Sequence, residues 1–139
     1  MPAIGQLDQL GILISKTITL SLAAVPVTET LFTVTSEVEV IVVGYIDIAP
    51  TAVGALTLEV GVAGATAAII AQTGKAALLL DLLWMNAAPA VLVAKPTAFL
   101  IANGLDISHI IAGDDATAGK ITYYCWWRPL SPDGLVVPA

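Results

Sequence analysis

The stretch Lys120-Ile-Thr-Tyr-Tyr-Cys-Trp-Trp-Arg128 decides the fold. It is dense in β-branched and aromatic residues, and it alternates. In an extended chain, successive side chains point to opposite faces. Ile121, Tyr123, Cys125 and Trp127 therefore share one face, and Thr122, Tyr124, Trp126 and Arg128 share the other. The first set suits a core. The second combines Tyr, Trp and Arg, the residue types enriched at interface hot spots. Tyr124, Trp126 and Arg128 are thus the candidate interface residues. Burial of both faces between layers is the competing reading.

Working outward, the same period recurs. Ile14, Ile18, Leu20 and Leu22 alternate with Thr17, Thr19 and Ser21, interrupted by Lys16, until Pro26 breaks the run. Leu31–Thr35 and Glu37–Ile48 follow as strands, with Gly44 marking a bulge or a close backbone approach. Leu56–Val62 alternates cleanly, Gly64 closes it, and Ala67–Gln72 is a weaker strand. Ala76–Met85 is too short to assign by period and is expected as a strand among strands. Val91–Lys95 is expected as another. Asn103-Gly104, set between Phe99 and Ile111, predicts a β-hairpin. Pro129, Pro132 and Asp133-Gly134 end the domain in turns. Residues 1–11 show no period and read as an N-terminal arm that orders against a neighbour. Residues 12–139 then form a single all-β domain of about eight strands: an antiparallel β-sandwich, with a jelly roll the first choice and another sandwich topology second.

Composition bears on function. Hydrophobic residues make up 58% of the 139-residue chain and charged residues 12%. An average domain is roughly 25% charged. This chain can fill a core and still have apolar residues to spare, which implies apolar surface patches and partners to cover them. The longest stretch free of charged residues, Val60 to Gly74, has 15 residues. A membrane-spanning helix needs ~20, so no such helix is expected, nor is a secretory signal. A net charge of −6, with Lys16, Lys75, Lys95, Lys120 and Arg128 scattered, argues against nucleic-acid binding.

Chemistry is scarce. His109, the one histidine, alternates with Leu105, Ile107 and Ile111 and reads as a partly buried structural residue. The sharper reading makes it the base for a Cys125 nucleophile, but no orienting partner is evident. Cys125 reads as a small buried hydrophobe. Asp114-Asp115 reads as a solvated turn rather than a calcium site. No catalytic, cofactor-binding or metal-binding residues are assigned, and the chain is expected not to be an enzyme.

The closing segment, Gly119 to Ala139, with its aromatic strand followed by Arg128-Pro-Leu-Ser-Pro-Asp-Gly-Leu-Val136, resembles the C-terminus of small tailed-bacteriophage virion proteins. Leu56–Gly64 with the following Thr66-Ala-Ala-Ile-Ile-Ala-Gln-Thr73, and Phe99–Ile107, resemble the same group. Among such proteins, all-β chains of this size are similar to capsid decoration, or cement, proteins. The resemblance implies a homotrimer made in the host cytoplasm and bound to the major capsid protein on the outer head surface. It implies no catalytic residues. The alternative is a head or tail appendage whose aromatics stack on host-surface glycans.

Overall fold

A computed structural model describes residues 11–20, 25–94 and 96–139. The chain is all-β. Its strands are β1 (Ile12–Thr19), β2 (Val27–Thr35), β3 (Val38–Ala52), β4 (Leu56–Val62), β5 (Ala65–Gly74), β6 (Leu83–Met85), β7 (Ala87–Ala90), β8 (Phe99–Ile101), β9 (Ile107–Gly113), β10 (Ala116–Pro129) and β11 (Leu135–Pro138). Two antiparallel sheets pack face to face. One has the order β1-β10-β3-β6-β7, with β8 also paired to β3; the other has the order β11-β2-β9-β4-β5. Most connections cross from one sheet to the other. Inward residues of both sheets, among them Val40, Ile46, Leu58, Ile70, Ile107 and Ile121, form one apolar cluster. No helix among the described residues is long and apolar enough to cross a membrane.

Local chemistry explains several details. Leu31 and Phe32 are adjacent yet both fully buried. Strict alternation forbids that, and a register shift between Thr30 and Phe32 permits it. Gly44 pairs with Tyr123 in regular register. Its reason for being glycine is Trp84, whose ring atom Cε3 would lie 3.1 Å from an added Cβ. Gly61 is held more tightly, because a Cβ there would overlap the Ala65 carbonyl oxygen across the β4–β5 hairpin. Gly61→Ala is expected to lower stability by about 1–3 kcal/mol through forced backbone displacement, read from the denaturant midpoint at unchanged m-value.

Several expectations need correction. There are eleven strands among the described residues, not about eight. Ala76–Met85 is mostly not strand: Lys75–Ala77 is a 3-10 turn, Asp81 takes a positive φ, and only Leu83–Met85 pairs. The chain is crossing between sheets there, with Asp81 N–H donating to the Ile46 carbonyl. Val91–Ala94 is not a strand either, and Lys95, the last residue of that expected strand, lies outside the described residues. The pairing falls earlier, on edge strand β7, where Pro89 needs no ladder partner. Asn103 and Gly104 do adopt left-handed φ values of 75° and 66°. Even so, they do not join a hairpin: β8 pairs with β3, while β9 pairs with β2 and β4 in the other sheet. The turn packs on the β2–β3 corner, where Gly104 N–H donates to Ser36. The turns after Pro129 lead into β11, which adds to β2 and buries Val136. The proposed arm lies outside the described residues except for Gly11.

Candidate functional site

Strand β10 runs between β1 and β3, so its outward residues sit mid-sheet. Trp126 is flanked by Leu13 and Ile41, Tyr124 by Ser15 and Val43, and Thr122 by Thr17 and Tyr45. The inward set, Ile121, Tyr123, Cys125 and Trp127, is buried, as the alternation predicts. Tyr124 and Trp126 are half-buried on the opposite face, and Arg128 is exposed.

Tyr124 and Trp126 line a groove of about 390 Å³ together with Ile41, Val43, Leu83 and Met85. Its outer wall is Val93, Ala94 and Pro96, from the segment after β7. That segment begins with Val91 and Leu92, which are 78% and 86% exposed. Leu100 is 71% exposed and pairs with Glu39 on the same outer face. This end of the face is thus apolar, with Leu13 beside Trp126 continuing it. The other end is polar. There Thr17 and Thr122 hydroxyls lie 3.0 Å apart, Thr122 donates to Asp47 at 2.6 Å, and Tyr45 O–H donates to Asp81 at 2.7 Å. The Asp81 hydrogen bond pushes the Tyr45 phenol above its ordinary pKa.

Arg128 closes the apolar end as an ion pair. Its Nε and Nη2 both approach Glu39 Oε2, at 2.7 and 2.6 Å. Such partly exposed pairs contribute at most about 1 kcal/mol. The guanidinium therefore sits at the solvated end of the face, and Tyr124 and Trp126 are the residues of this set that line the groove. The sequence did not reveal the wall formed by Val93, Ala94 and Pro96. The signal was present as an apolar run bracketed by Pro89 and Pro96, but it read as a strand.

The residues with chemical potential are dispersed. Burial pushes the Cys125 thiol up to about 12, so it is not a thiolate at neutral pH. Its Sγ lies 3.9 Å from the Trp126 carbonyl, whereas His109 Nδ1 lies 2.9 Å from the Tyr123 hydroxyl. No hydrogen bond joins Cys125 to His109 among the described residues. His109 is fully buried, further in than expected. Asp114 accepts from Gly54 N–H at 2.5 Å and from Asp115 N–H at 3.0 Å, while Asp115 accepts from Val25 N–H at 3.0 Å. Both carboxylates therefore fasten loops. No group of three or more His, Cys, Asp or Glu side chains is placed to hold a metal among the described residues.

Comparison with known proteins finds no matching family model, no similar curated protein and no similar solved structure.

Proposed function

We propose that this chain is a structural, non-catalytic subunit of a tailed-phage particle: a decoration protein that binds the outer capsid lattice as a homotrimer. The observation that carries the reading is the apolar groove at Tyr124 and Trp126, bordered by the exposed Val91, Leu92 and Leu100. A small domain with this much apolar surface on one sheet is suited to burying it against protein. The phage-like closing segment supplies the virion context. Strand order supports a jelly-roll reading of the sandwich, since β1-β10-β3-β6 faces β2-β9-β4-β5, as two Greek keys produce.

The mechanism is mass action. Contacts made only in the assembled shell stabilise that shell and leave the free subunit unchanged. Closed symmetry lets identical copies cover one another's apolar faces. The groove's apolar lining favours protein side chains over glycans, whose hydroxyls need polar partners around the aromatic rings.

The test is co-sedimentation with heads assembled from the major capsid protein of the same phage. Saturable binding in multiples of three per site is expected, with a rise in the heads' thermal stability. Absence of binding to both procapsids and mature heads would contradict the decoration role.

A further inference from the structure

One polar layer crosses the otherwise apolar interior. In the first sheet Lys16 of β1 pairs with Tyr123 of β10; in the second, Glu29 of β2 pairs with His109 of β9. All four residues sit at inward positions. The two pairs meet where His109 Nδ1 lies 2.9 Å from the Tyr123 hydroxyl, inside the core. On its other side, His109 Nε2 lies 3.5 Å from Glu29 Oε2, which is too long for a good hydrogen bond, and Nε2 has no other partner among the described residues. Glu29 is about half exposed, so it marks the opening of this layer at the corner between β1 and β2. Lys16 reaches across that corner and donates to the Ala139 carbonyl, while Ala139 N–H donates to Leu31 at 3.0 Å.

We propose that the Lys16–Glu29–His109–Tyr123 layer is a pH-sensitive latch, closing the corner between β1 and the β2–β11 edge at neutral pH and releasing it on acidification.

The chemistry follows from the donors available. With His109 neutral, Tyr123 O–H donates to Nδ1, and Nε2–H faces the Glu29 carboxylate. This tautomer satisfies Nδ1 and the Tyr123 hydroxyl and leaves Nε2–H pointing at Glu29 without a good hydrogen bond. Burial keeps the Tyr123 phenol protonated well above its ordinary range. Adding a proton to His109 makes both ring nitrogens donors. The Tyr123 hydroxyl must then turn its own hydrogen away, in a fully buried site with no second acceptor bonded to it among the described residues.

The charged groups facing the ring pull in opposite directions. Desolvation disfavours the imidazolium most, Glu29 attracts it, and Lys16 repels it; the net effect lowers the His109 pKa. Neighbouring β4 contributes Val60, and the next inward position of β10 is the protonated Cys125. The sign is then fixed. The open form takes up the proton near the ordinary value of about 6.5, before the closed form does. Stability associated with neutral His109 is complete above that pH. It is lost as pH falls below it towards the lower value of the closed form.

His109 is the one histidine, so its ring signals in NMR are unambiguous. The experiment titrates the full chain from pH 8 to 5, following the His109 ring and the amide exchange of β1 and β11. The expected ring midpoint lies below 6.5. Protection of β1 and β11, corrected for intrinsic exchange, should fall by up to about tenfold per pH unit between about 6.5 and that midpoint, the limit for one proton, and level off below it. His109→Gln keeps a polar partner for Tyr123 without titrating, and should flatten that dependence. Glu29→Gln, at a half-exposed position, should move the ring midpoint lower still. A midpoint at or above 6.5, a Glu29→Gln midpoint equal to wild type, or a His109→Gln chain with the wild-type pH dependence would each overturn the latch.

Discussion

Trp84→Ala is expected to lower the stability of the folded chain by about 3–5 kcal/mol, the cost of removing a fully buried indole. For a domain of this length that is roughly 10–20 °C in Tm. Trp84 is inaccessible to solvent and fills the space that Gly44 leaves above β3. Its ring lies 6.2 Å from the Tyr123 ring. Its Nε1–H donates to Thr73 Oγ1 at 2.9 Å, which ties β6 of one sheet to β5 of the other. Truncation therefore leaves a cavity and removes the hydrogen bond to Thr73, whose hydroxyl keeps only its own donation to the Ala71 carbonyl, and it loosens the sandwich at the edge away from β1. Trp84→Phe should recover most of the packing but not the hydrogen bond. Circular dichroism melts of wild type and both variants, at one protein concentration, check the order wild type, Trp84→Phe, Trp84→Ala.

The second large effect concerns assembly. Tyr124→Ser combined with Trp126→Ser is expected to weaken subunit association at least 100-fold. Each aromatic anchor at an interface centre typically contributes 2 kcal/mol or more, about 30-fold in affinity, and paired effects are not strictly additive. Both side chains are half-exposed on the outer face, so folding should change little. Arg128→Ala should weaken association less than tenfold, because its pairing with Glu39 is already partly solvated. A concentration series by light scattering measures all three chains. Equal losses from the Arg128 and aromatic variants would move the interface centre away from the groove.

Much of the fold was legible because alternation fixes which residues face inward. Leu56–Val62 is β4 with the same bounds, and the two faces of β10 divide as the sequence implies. Which sheet a strand joins is a different kind of information. Asn103-Gly104 does supply a left-handed turn, but strand pairing is decided by distant partners. Val38, Glu39 and Val40 capture β8, and β2 and β4 capture β9. Leu31 and Phe32 are both buried through a bulge that no local pattern announces. Val91 and Leu92 read as a strand from their hydrophobicity, yet they form an exposed border of the groove; apolar residues kept for a surface look locally like residues kept for a core. The His109–Tyr123 contact was half legible. Alternation places each residue inward, but only the facing of the two sheets brings them within 2.9 Å.

Sedimentation velocity of the purified full chain across low to high micromolar concentrations tests the central claim most directly. If the outer face of the β1–β10–β3 sheet is an interface, wild type sediments at three times the 14.3 kDa chain mass, and the Tyr124→Ser, Trp126→Ser chain sediments as a folded monomer. A wild type that stays monomeric throughout, or a double variant that assembles as wild type does, would contradict it.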